Sequence, residues 1–270
     1  MKKRDLNQSI NMSIFKKNMD MRCNVWRRKL LGNGVERKRE LWARFVNTKK
    51  DTDIPRQVLG IINRDMPRTY PNIPEIKQHM PIIRKLLVCY AAVHCGDSYL
   101  QGFNYIMSNI YYVFKDTPHA EPDTWWCFVR LIGLIRPLMP DFNTAWFHWM
   151  RRHWQKDITA RIRKKCPKLH SLLVNEMDSF STLVTVKWFM IWFSQSLPFE
   201  DVFLLWDFLI DVHPSRLLHV YTQITFEILS EAAPTLTYNW SHGSTNLLHT
   251  LLQLRISGME HIIETVRRRV

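Results

Sequence analysis

Apolar residues recur at helical spacing along most of the chain from Met21 onward. The clearest run follows Pro81, and its apolar members are Ile82, Ile83, Leu86, Leu87, Tyr90 and Val93. This i, i+3 or i+4, i+7 or i+8 pattern is typical of an amphipathic α-helix, and proline is favoured in a first helical turn. A second helix is predicted behind Asp97 and Ser98, which can cap it. Its inner face would be Phe103, Ile106, Met107, Ile110 and Val113.

Further helix boundaries are predicted where proline or glycine interrupts the apolar periodicity. The predicted starts are Pro122, Asn143, Pro167, Pro198, Pro214, Thr245 and Gly258, with Pro137 and Pro140 ending the first of these helices at Ile135. No segment shows the sustained alternation of apolar and polar residues, bounded by Asn-Gly or Asp-Gly turns, that would indicate β-strands. We therefore expect a single all-α domain over residues 21–270, preceded by a basic, flexible lead-in at residues 1–20.

Composition narrows the class of protein. A chain of 270 residues with 46% hydrophobic residues can bury a sizeable core, and only 8 glycines favour helices over a turn-rich β fold. The cysteines are odd in number and scattered, which argues against a disulfide framework or a zinc site; they are Cys23, Cys89, Cys95, Cys127 and Cys166. Polar residues follow the basic start, and the most apolar segment, 184–197, is shorter than a membrane span. We expect a soluble, reduced, intracellular protein.

The formal net charge of +14 is concentrated at the amino terminus, in residues 151–168 and in Arg267, Arg268 and Arg269. Such blocks attract anionic partners, which include a nucleic acid, an acidic lipid surface and an acidic protein. A solvated helix face gives the same pattern. Charge by itself leaves these alternatives open.

Two short segments carry candidate chemistry: residues 62–68, Ile-Asn-Arg-Asp-Met-Pro-Arg, and residues 99–102, Tyr-Leu-Gln-Gly. Arg68 offers a permanent cation in a planar fork, and Gln101 offers a neutral amide that donates and accepts hydrogen bonds. Hydrolysis of a phosphoanhydride needs both, one to neutralise developing charge and one to hold the attacking water. Taken alone, Arg68 would be a solvated side chain or an ion-pair partner of Asp65, three positions earlier.

The two segments resemble the signature of the TBC domain, a family of GTPase-activating proteins for Rab GTPases. There the pattern Ile-x-x-Asp-x-x-Arg carries an arginine finger and Tyr-x-Gln-Gly carries a glutamine finger. Further matches follow in the family's order. They are Arg22 to Trp26, Leu30-Leu31-Gly32, Arg68-Thr69-Tyr70-Pro71, Lys187-Trp188-Phe189, Leu197-Pro198-Phe199-Glu200 and Trp206-Asp207.

The resemblance implies an all-helical, two-lobed TBC-like domain that supplies Arg68 and Gln101 in trans to a Rab-type GTPase in its GTP form. Asp65 would orient the arginine, Gly102 would allow close backbone approach, and Tyr99 would pack beside the finger as a partner contact or as core. GTP and Mg²⁺ would belong to the partner, so we expect no cofactor, no metal site and no nucleotide site in this regulator. The resemblance also implies a cytoplasmic role in vesicle trafficking. The basic stretch at residues 151–168 would favour peripheral contact with the acidic endomembranes on which Rab GTPases are anchored.

Two rival functions stay open at the level of sequence. One is a catalytically silent TBC-like adaptor that binds a GTPase or an acidic partner without accelerating hydrolysis. The other is a basic helical nucleic-acid binder, for which only the charge argues; we expect no nucleic acid partner. Retention of both Arg68 and Gln101 favours the activator, because an adaptor needs neither. The aromatic residues of 188–206 are predicted to be core, as a stripe of rings at helical spacing usually is.

Overall fold

The computed structural model describes residues 19–94, 99–136, 145–174, 188–241, 256 and 258–270, and every regular element in them is helical. The chain divides into two compact units, residues 1–133 and 134–270, each with its own core. The predicted lead-in lies outside the described residues except for its last two positions. The predicted caps Asp97 and Ser98 and the predicted helix starts Asn143 and Thr245 also lie outside them.

The described helices that begin in the amino-terminal unit are numbered in chain order. They are α1 (19–26), which continues as a π-helical segment (Arg27–Leu31), α2 (Val35–Phe45), α3 (Arg56–Asp65), α4 (Pro74–Gln78), α5 (Met80–Val93), α6 (Phe103–Phe114) and α7 (Ala120–Ile135). Three-residue 3₁₀ helices lie at Val46–Thr48, Asp51–Asp53 and Met66–Arg68. The last of these extends α3 directly and carries Arg68.

The described helices of the carboxy-terminal unit are α8 (Ala145–Lys165), α9 (Pro167–Leu173), α10 (Phe199–Leu209), α11 (Leu217–Ser241) and α12 (Met259–Arg267), with a 3₁₀ helix at Pro214–Arg216. The predicted starts at Pro167, Pro198, Pro214 and Gly258 are confirmed, each within one residue of a helix or 3₁₀ helix. The helix predicted from Pro122 begins slightly earlier, at Ala120. No described helix is long and apolar enough to cross a membrane.

A buried ionic cluster joins three helical segments of the amino-terminal unit. Asp123 on α7 is fully buried and accepts hydrogen bonds from Arg27 Nε at 2.8 Å and from Arg39 Nε and Nη2 at 2.9 and 2.8 Å. Since a buried carboxylate is costly unless it is paired and hydrogen-bonded, the two arginines fix how α7 meets α2 and the π-helical segment. Large rings complete this core; they include Trp26, Phe103, Phe114, Trp125 and Phe128.

The aromatic segment of the carboxy-terminal unit is core, as predicted, but its conformation differs from the prediction. Trp188, Trp192 and Phe193 are at most 2% exposed, whereas Phe199 is half-buried. Residues 188–197 form a π-helical start and a series of turns instead of one helix, with φ of 49° at Trp192 and 59° at Phe193. Left-handed backbone is unusual for bulky residues. This conformation is stabilised by burial of the rings and by the 3.1 Å hydrogen bond from Trp206 Nε1 to the Trp192 carbonyl.

Candidate functional site

Arg68 lies at the end of an amphipathic helix whose inner side chains are buried. Ile62 on α3 is fully buried, and the chain then tightens into the 3₁₀ helix through Met66, which is 7% exposed. The Met66 N–H still bonds to the Ile62 carbonyl, whereas Pro67 has no N–H to continue this series, so the α-helix ends at this point. Arg68 therefore occupies a regular turn, not the irregular loop that a proline-broken segment suggests. Its side chain is 50% exposed.

Asp65 connects the two candidate segments. Its carboxylate is 1% exposed; Oδ1 accepts a hydrogen bond from Arg68 Nη2, and Oδ2 accepts one of 2.7 Å from the Tyr99 hydroxyl. Asp65 and Tyr99 are 34 positions apart in sequence. One buried carboxylate thus orients the guanidinium and anchors the segment that carries Gln101. Tyr99 is 5% exposed, so it supports the 99–102 segment from the interior of the unit.

A second polar contact runs beside the first. Thr69 and Asn104 are at most 1% exposed; Asn104 Nδ2 donates to Thr69 Oγ1 at 2.6 Å, and that hydroxyl donates to the Asp65 carbonyl at 2.8 Å. Asn104 lies in the first turn of α6, directly after Gln101 and Gly102. The start of α6 is therefore fixed to the turn after α3 by buried hydrogen bonds, which hold their geometry because water does not compete for them.

The Arg68 backbone is held as well as its side chain. The Tyr105 hydroxyl donates to the Arg68 carbonyl at 2.9 Å, and the Tyr105 ring packs edge-on against Tyr70 with centroids 5.0 Å apart. Tyr70 itself has a φ of 44°. A non-glycine residue in the left-handed region persists where its surroundings over-determine it, and such residues cluster at functional sites.

Gln101 lies in the turn that precedes α6, and its residue is exposed. Gly102, at the N-cap of α6, is buried and has a φ of 106°, which a side chain would strain. The glycine is thus required by the backbone, a reason beyond the close approach predicted for it. The turn is closed by the bond from Phe103 N to the Leu100 carbonyl, at 3.1 Å. Gln101 therefore projects from a defined helix start.

The Arg68 guanidinium has hydrogen-bond donors that the cluster does not use. Among the described residues Asp65 is the only hydrogen-bond partner of its guanidinium, so most of its five N–H donors remain for another acceptor. Burial raises the pKa of Tyr99 far above its ordinary value, and the adjacent Asp65 carboxylate adds to this. Tyr99 is accordingly a neutral donor at all physiological pH values. The site presents one exposed cation and one exposed amide on a rigid support.

This arrangement can bind an anion with developing charge and hold a water beside it. A guanidinium that is pre-oriented by a carboxylate loses less rotamer entropy when it meets a phosphate oxygen. No group of three or more His, Cys, Asp or Glu side chains that could hold a metal occurs within the described ranges. The amino-terminal end of the α6 helix dipole also favours negative charge nearby.

Sequence reasoning assigned no role to Thr69, Asn104 and Tyr105. The signal for Asn104 was available, because three polar residues, Asn104, Ser108 and Asn109, interrupt an otherwise apolar helix. All three are buried. A polar residue on an apolar helix face needs a partner, but sequence periodicity does not say which residue supplies it.

Comparison with known proteins places this site in a family context. The family model of the Rab-GTPase-TBC domain matches residues 19–234, which include both candidate segments. Growth hormone-regulated TBC protein 1 of Xenopus laevis is 30% identical over 156 residues, covering 56% of this chain and 43% of that protein. TBC1 domain family member 17 of Homo sapiens is 27% identical over 200 residues, covering 72% of this chain and 29% of that protein. The chain thus spans less than half the length of these relatives.

Among solved structures, the Ypt/Rab-GAP domain of Gyp1p superposes with a TM-score of 0.70, covering 91% of this chain and 85% of that one. The two sequences are 17% identical. At this identity the likeness establishes the fold alone.

Proposed function

The chain belongs to the Rab-GTPase-TBC domain family, and we propose that it is a GTPase-activating protein for a Rab-type small GTPase in its GTP-bound form. In this proposal Arg68 and Gln101 act in trans on the nucleotide of the GTPase. The GTP and its Mg²⁺ belong to the partner, and this chain contributes no cofactor. As the regulator of another enzyme, it would need no nucleotide pocket of its own.

One observation carries the proposal: the buried Asp65 carboxylate is bonded both to Arg68 and to Tyr99, two residues before Gln101. A structural ion pair would need only the first of these bonds. The second ties an exposed cation and an exposed amide to one support. Transfer of a phosphoryl group to water depends on positioning and electrostatics more than on covalent help, so such a support suits the chemistry.

The two side chains divide the work. The Arg68 guanidinium donates to oxygens of the γ-phosphate and neutralises the charge that develops in the transition state. The Gln101 side-chain carbonyl accepts a hydrogen bond from the attacking water, while its amide donates to the phosphate or to the GTPase backbone. An arginine supplied in trans is worth about 10³–10⁵ in rate in well-studied GTPase systems. Asp65 and Tyr99 act through Arg68 and the 99–102 segment, so they are positioning residues.

We also propose that the protein works in the cytoplasm, in vesicle trafficking, at the membrane that carries its GTPase. The relatives are named for their TBC domains, and the solved neighbour is named as a Ypt/Rab-GAP domain. Those names describe those proteins, and their extension to this chain is part of the proposal. Family membership together with retention of both side chains supports it.

The test is a single-turnover measurement of GTP hydrolysis with this chain and a panel of purified Rab GTPases. We expect strong acceleration of at least one of them, and loss of that acceleration in the double variant Arg68→Ala, Gln101→Ala. The double variant should still bind the same GTPase loaded with a non-hydrolysable GTP analogue. Binding to a Rab by the wild type without acceleration of any panel member would support the silent adaptor instead. Absence of both binding and acceleration would overturn the assignment to a Rab partner.

A further inference from the structure

Helix α8 in the carboxy-terminal unit has two faces of opposite character. Trp154, Ile158 and Ile162 are at most 3% exposed and form part of the core. Arg152, Lys156, Ala160 and Arg163, at spacings of four, four and three residues, are all exposed. These four residues, which we call the basic face, extend over about 16 Å at the rise of an α-helix.

The basic stretch of residues 151–168 separates into two classes of cation. Arg161 and Lys165 already have polar partners within the carboxy-terminal unit. Arg161 donates to Asp157 at 2.9 Å and to Gln223 at 2.7 Å, and the Lys165 ammonium lies 3.6 Å from Glu227. Arg152, Lys156 and Arg163, in contrast, have no ion-pair partner in the described part of the chain. The field of the basic face is therefore not cancelled locally.

A shallow groove of about 610 Å³ runs beside the basic face. The residues that line it include the three cations Arg152, Lys156 and Arg163 and the smaller side chains of Thr159, Ala160 and Val174. Val174, just past the end of α9, is 51% exposed, although valine is normally buried. The surface thus pairs long cationic side chains with a small patch of apolar contact.

We propose that the basic face and its groove bind the acidic phospholipid surface of a membrane. Arginine and lysine can place their charged ends at headgroup phosphates while their apolar stems lie along the interface. Small apolar residues such as Ala160 and Val174 then enter the headgroup region without spanning it. The match is one of charge, because a diffuse anionic surface requires only a row of cations without ion-pair partners on one helix face.

Two other anionic partners fit this surface less well. A single-stranded nucleic acid binds by stacking its bases on aromatic rings, and the residues that line this groove include none. A tightly bound protein partner inserts an anchor side chain into a well-packed pocket, whereas this groove is open and small in apolar area. The proposal stands apart from the GTPase assignment, since lipid binding requires neither Arg68 nor Gln101.

The test is co-sedimentation with vesicles of phosphatidylcholine alone or with about one third phosphatidylserine, without any GTPase. We expect the wild-type chain to bind only the acidic vesicles, and to bind them less tightly at higher salt. The triple variant Arg152→Gln, Lys156→Gln, Arg163→Gln should lose about 100-fold in affinity, at about fivefold for each cation near an anionic surface. Val174→Asp alone should also weaken binding, because the new carboxylate is repelled by the anionic surface and the apolar contact of the valine is lost.

The matched control removes the same charge elsewhere. Arg37, Arg44 and Arg56 are exposed in the amino-terminal unit, and their triple change to Gln should weaken vesicle binding less than fivefold. Equal losses in the two triple variants would overturn the proposal, because they would show a general charge effect. Binding to neutral vesicles as tight as to acidic ones, or tighter binding to nucleic acid than to acidic vesicles at 150 mM salt, would do the same.

Two further measurements separate this proposal from the proposed function. Thermal unfolding of the basic-face variant should match that of the wild type, since its side chains are exposed. Its acceleration of GTP hydrolysis on a soluble, unlipidated Rab should be unchanged, while Arg68→Ala should bind acidic vesicles like the wild type. Loss of activity in solution by the basic-face variant would show that this face contacts the GTPase, which would overturn its assignment to lipid.

Discussion

The Tyr99 hydroxyl donates a 2.7 Å hydrogen bond to Asp65 Oδ2 across 34 residues of sequence, while Arg68 contacts the other oxygen of the same carboxylate. Both oxygens of one buried group are thus used, one toward each candidate segment. This arrangement makes the position of Arg68 depend on the segment that carries Gln101, and the reverse. A substitution in either segment should therefore alter the position of the other.

Arg68→Ala should abolish most of the acceleration of GTP hydrolysis, by about 10³-fold or more, because the transition state loses the cation that the activator supplies in trans. Arg68→Lys should lose most of it as well, since a point ammonium cannot reproduce a planar fork. Single-turnover hydrolysis on a responsive Rab measures both losses.

Arg64 provides the matched control for Arg68. It is exposed on the last turn of α3 and carries the same charge without contacting Asp65. Arg64→Ala should keep the acceleration within about threefold of wild type, a change of under 1 kcal/mol in barrier. Full activity of Arg68→Ala on a GTPase that the wild type accelerates would disprove the finger assignment.

Gln101 is expected to replace the glutamine that the GTPase itself would use to orient water. The wild-type chain should therefore still accelerate a Rab whose own switch-region glutamine is changed to alanine, and Gln101→Ala should not. In a kinetic cycle, the double loss of Arg68 and Gln101 should be far smaller than the product of the single losses, as expected for groups that act as one unit. Gln57→Ala, exposed on α3, serves as the control; strictly multiplicative losses would argue against a shared transition-state role.

Helix positions were predictable because proline acts locally. Pro81, Pro167 and Pro198 each predicted a helix start that the structure contains, since the constraint on φ and the missing N–H belong to the residue itself. Pro234 shows the limit of the rule, because it lies inside α11. There, tertiary packing of the helix outweighs the loss of one backbone hydrogen bond.

The support of the candidate site could not be predicted in the same way. Periodicity places Asn104 on an apolar helix and Thr69 after a turn, but their hydrogen bond joins residues 35 positions apart. The left-handed backbone of Trp192 and Phe193 has the same origin, since it follows from ring packing within the folded unit. Local pattern gives helices, whereas pairing between distant residues is decided by the whole core.

Thr69→Val should destabilise the amino-terminal unit by about 1–3 kcal/mol, because it keeps the shape of the side chain but removes the buried hydroxyl that bonds to Asn104 Nδ2 and to the Asp65 carbonyl. Only the long 3.5 Å hydrogen bond from Asn104 Nδ2 to that carbonyl would remain. Thr69→Ser, which retains the hydroxyl, is the matched control and should cost less. Urea unfolding measures both. Equal destabilisation by the two variants would attribute the effect to packing of the threonine methyl group.

The same pair should also affect catalysis. If the Thr69–Asn104 contact positions Arg68, Thr69→Val should lower kcat for GTP hydrolysis while leaving the KM for the GTPase within about twofold, because the exposed binding surface is unchanged. Thr69→Ser should restore kcat. A rise in KM alone would place the residue in partner binding and not in positioning.

Tyr99→Phe should lower the free energy of unfolding by about 1–3 kcal/mol at pH 7, because the buried Asp65 carboxylate loses a donor. The difference between wild type and variant should narrow at high pH. Burial raises the pKa of Tyr99, so the hydroxyl stays protonated in the folded state while the unfolded chain ionises near pH 10. Stability from this group is therefore complete below pH 10 and falls by about 1.4 kcal/mol per pH unit above it.

Tyr221 separates the hydrogen bond from burial in that experiment. Burial also raises the pKa of Tyr221, but among the described residues its hydroxyl has no hydrogen-bond partner. Tyr221→Phe should thus leave the free energy of unfolding at pH 7 nearly unchanged. Above pH 10 the variant should lose less stability than the wild type, because it no longer has this buried tyrosine hydroxyl, which ionises only in the unfolded chain. Denaturant unfolding of both variants from pH 7 to 11 measures this contrast. Equal losses for the two variants at pH 7 would show that the bond between Tyr99 and Asp65 contributes no more to stability than a buried, unpaired hydroxyl does.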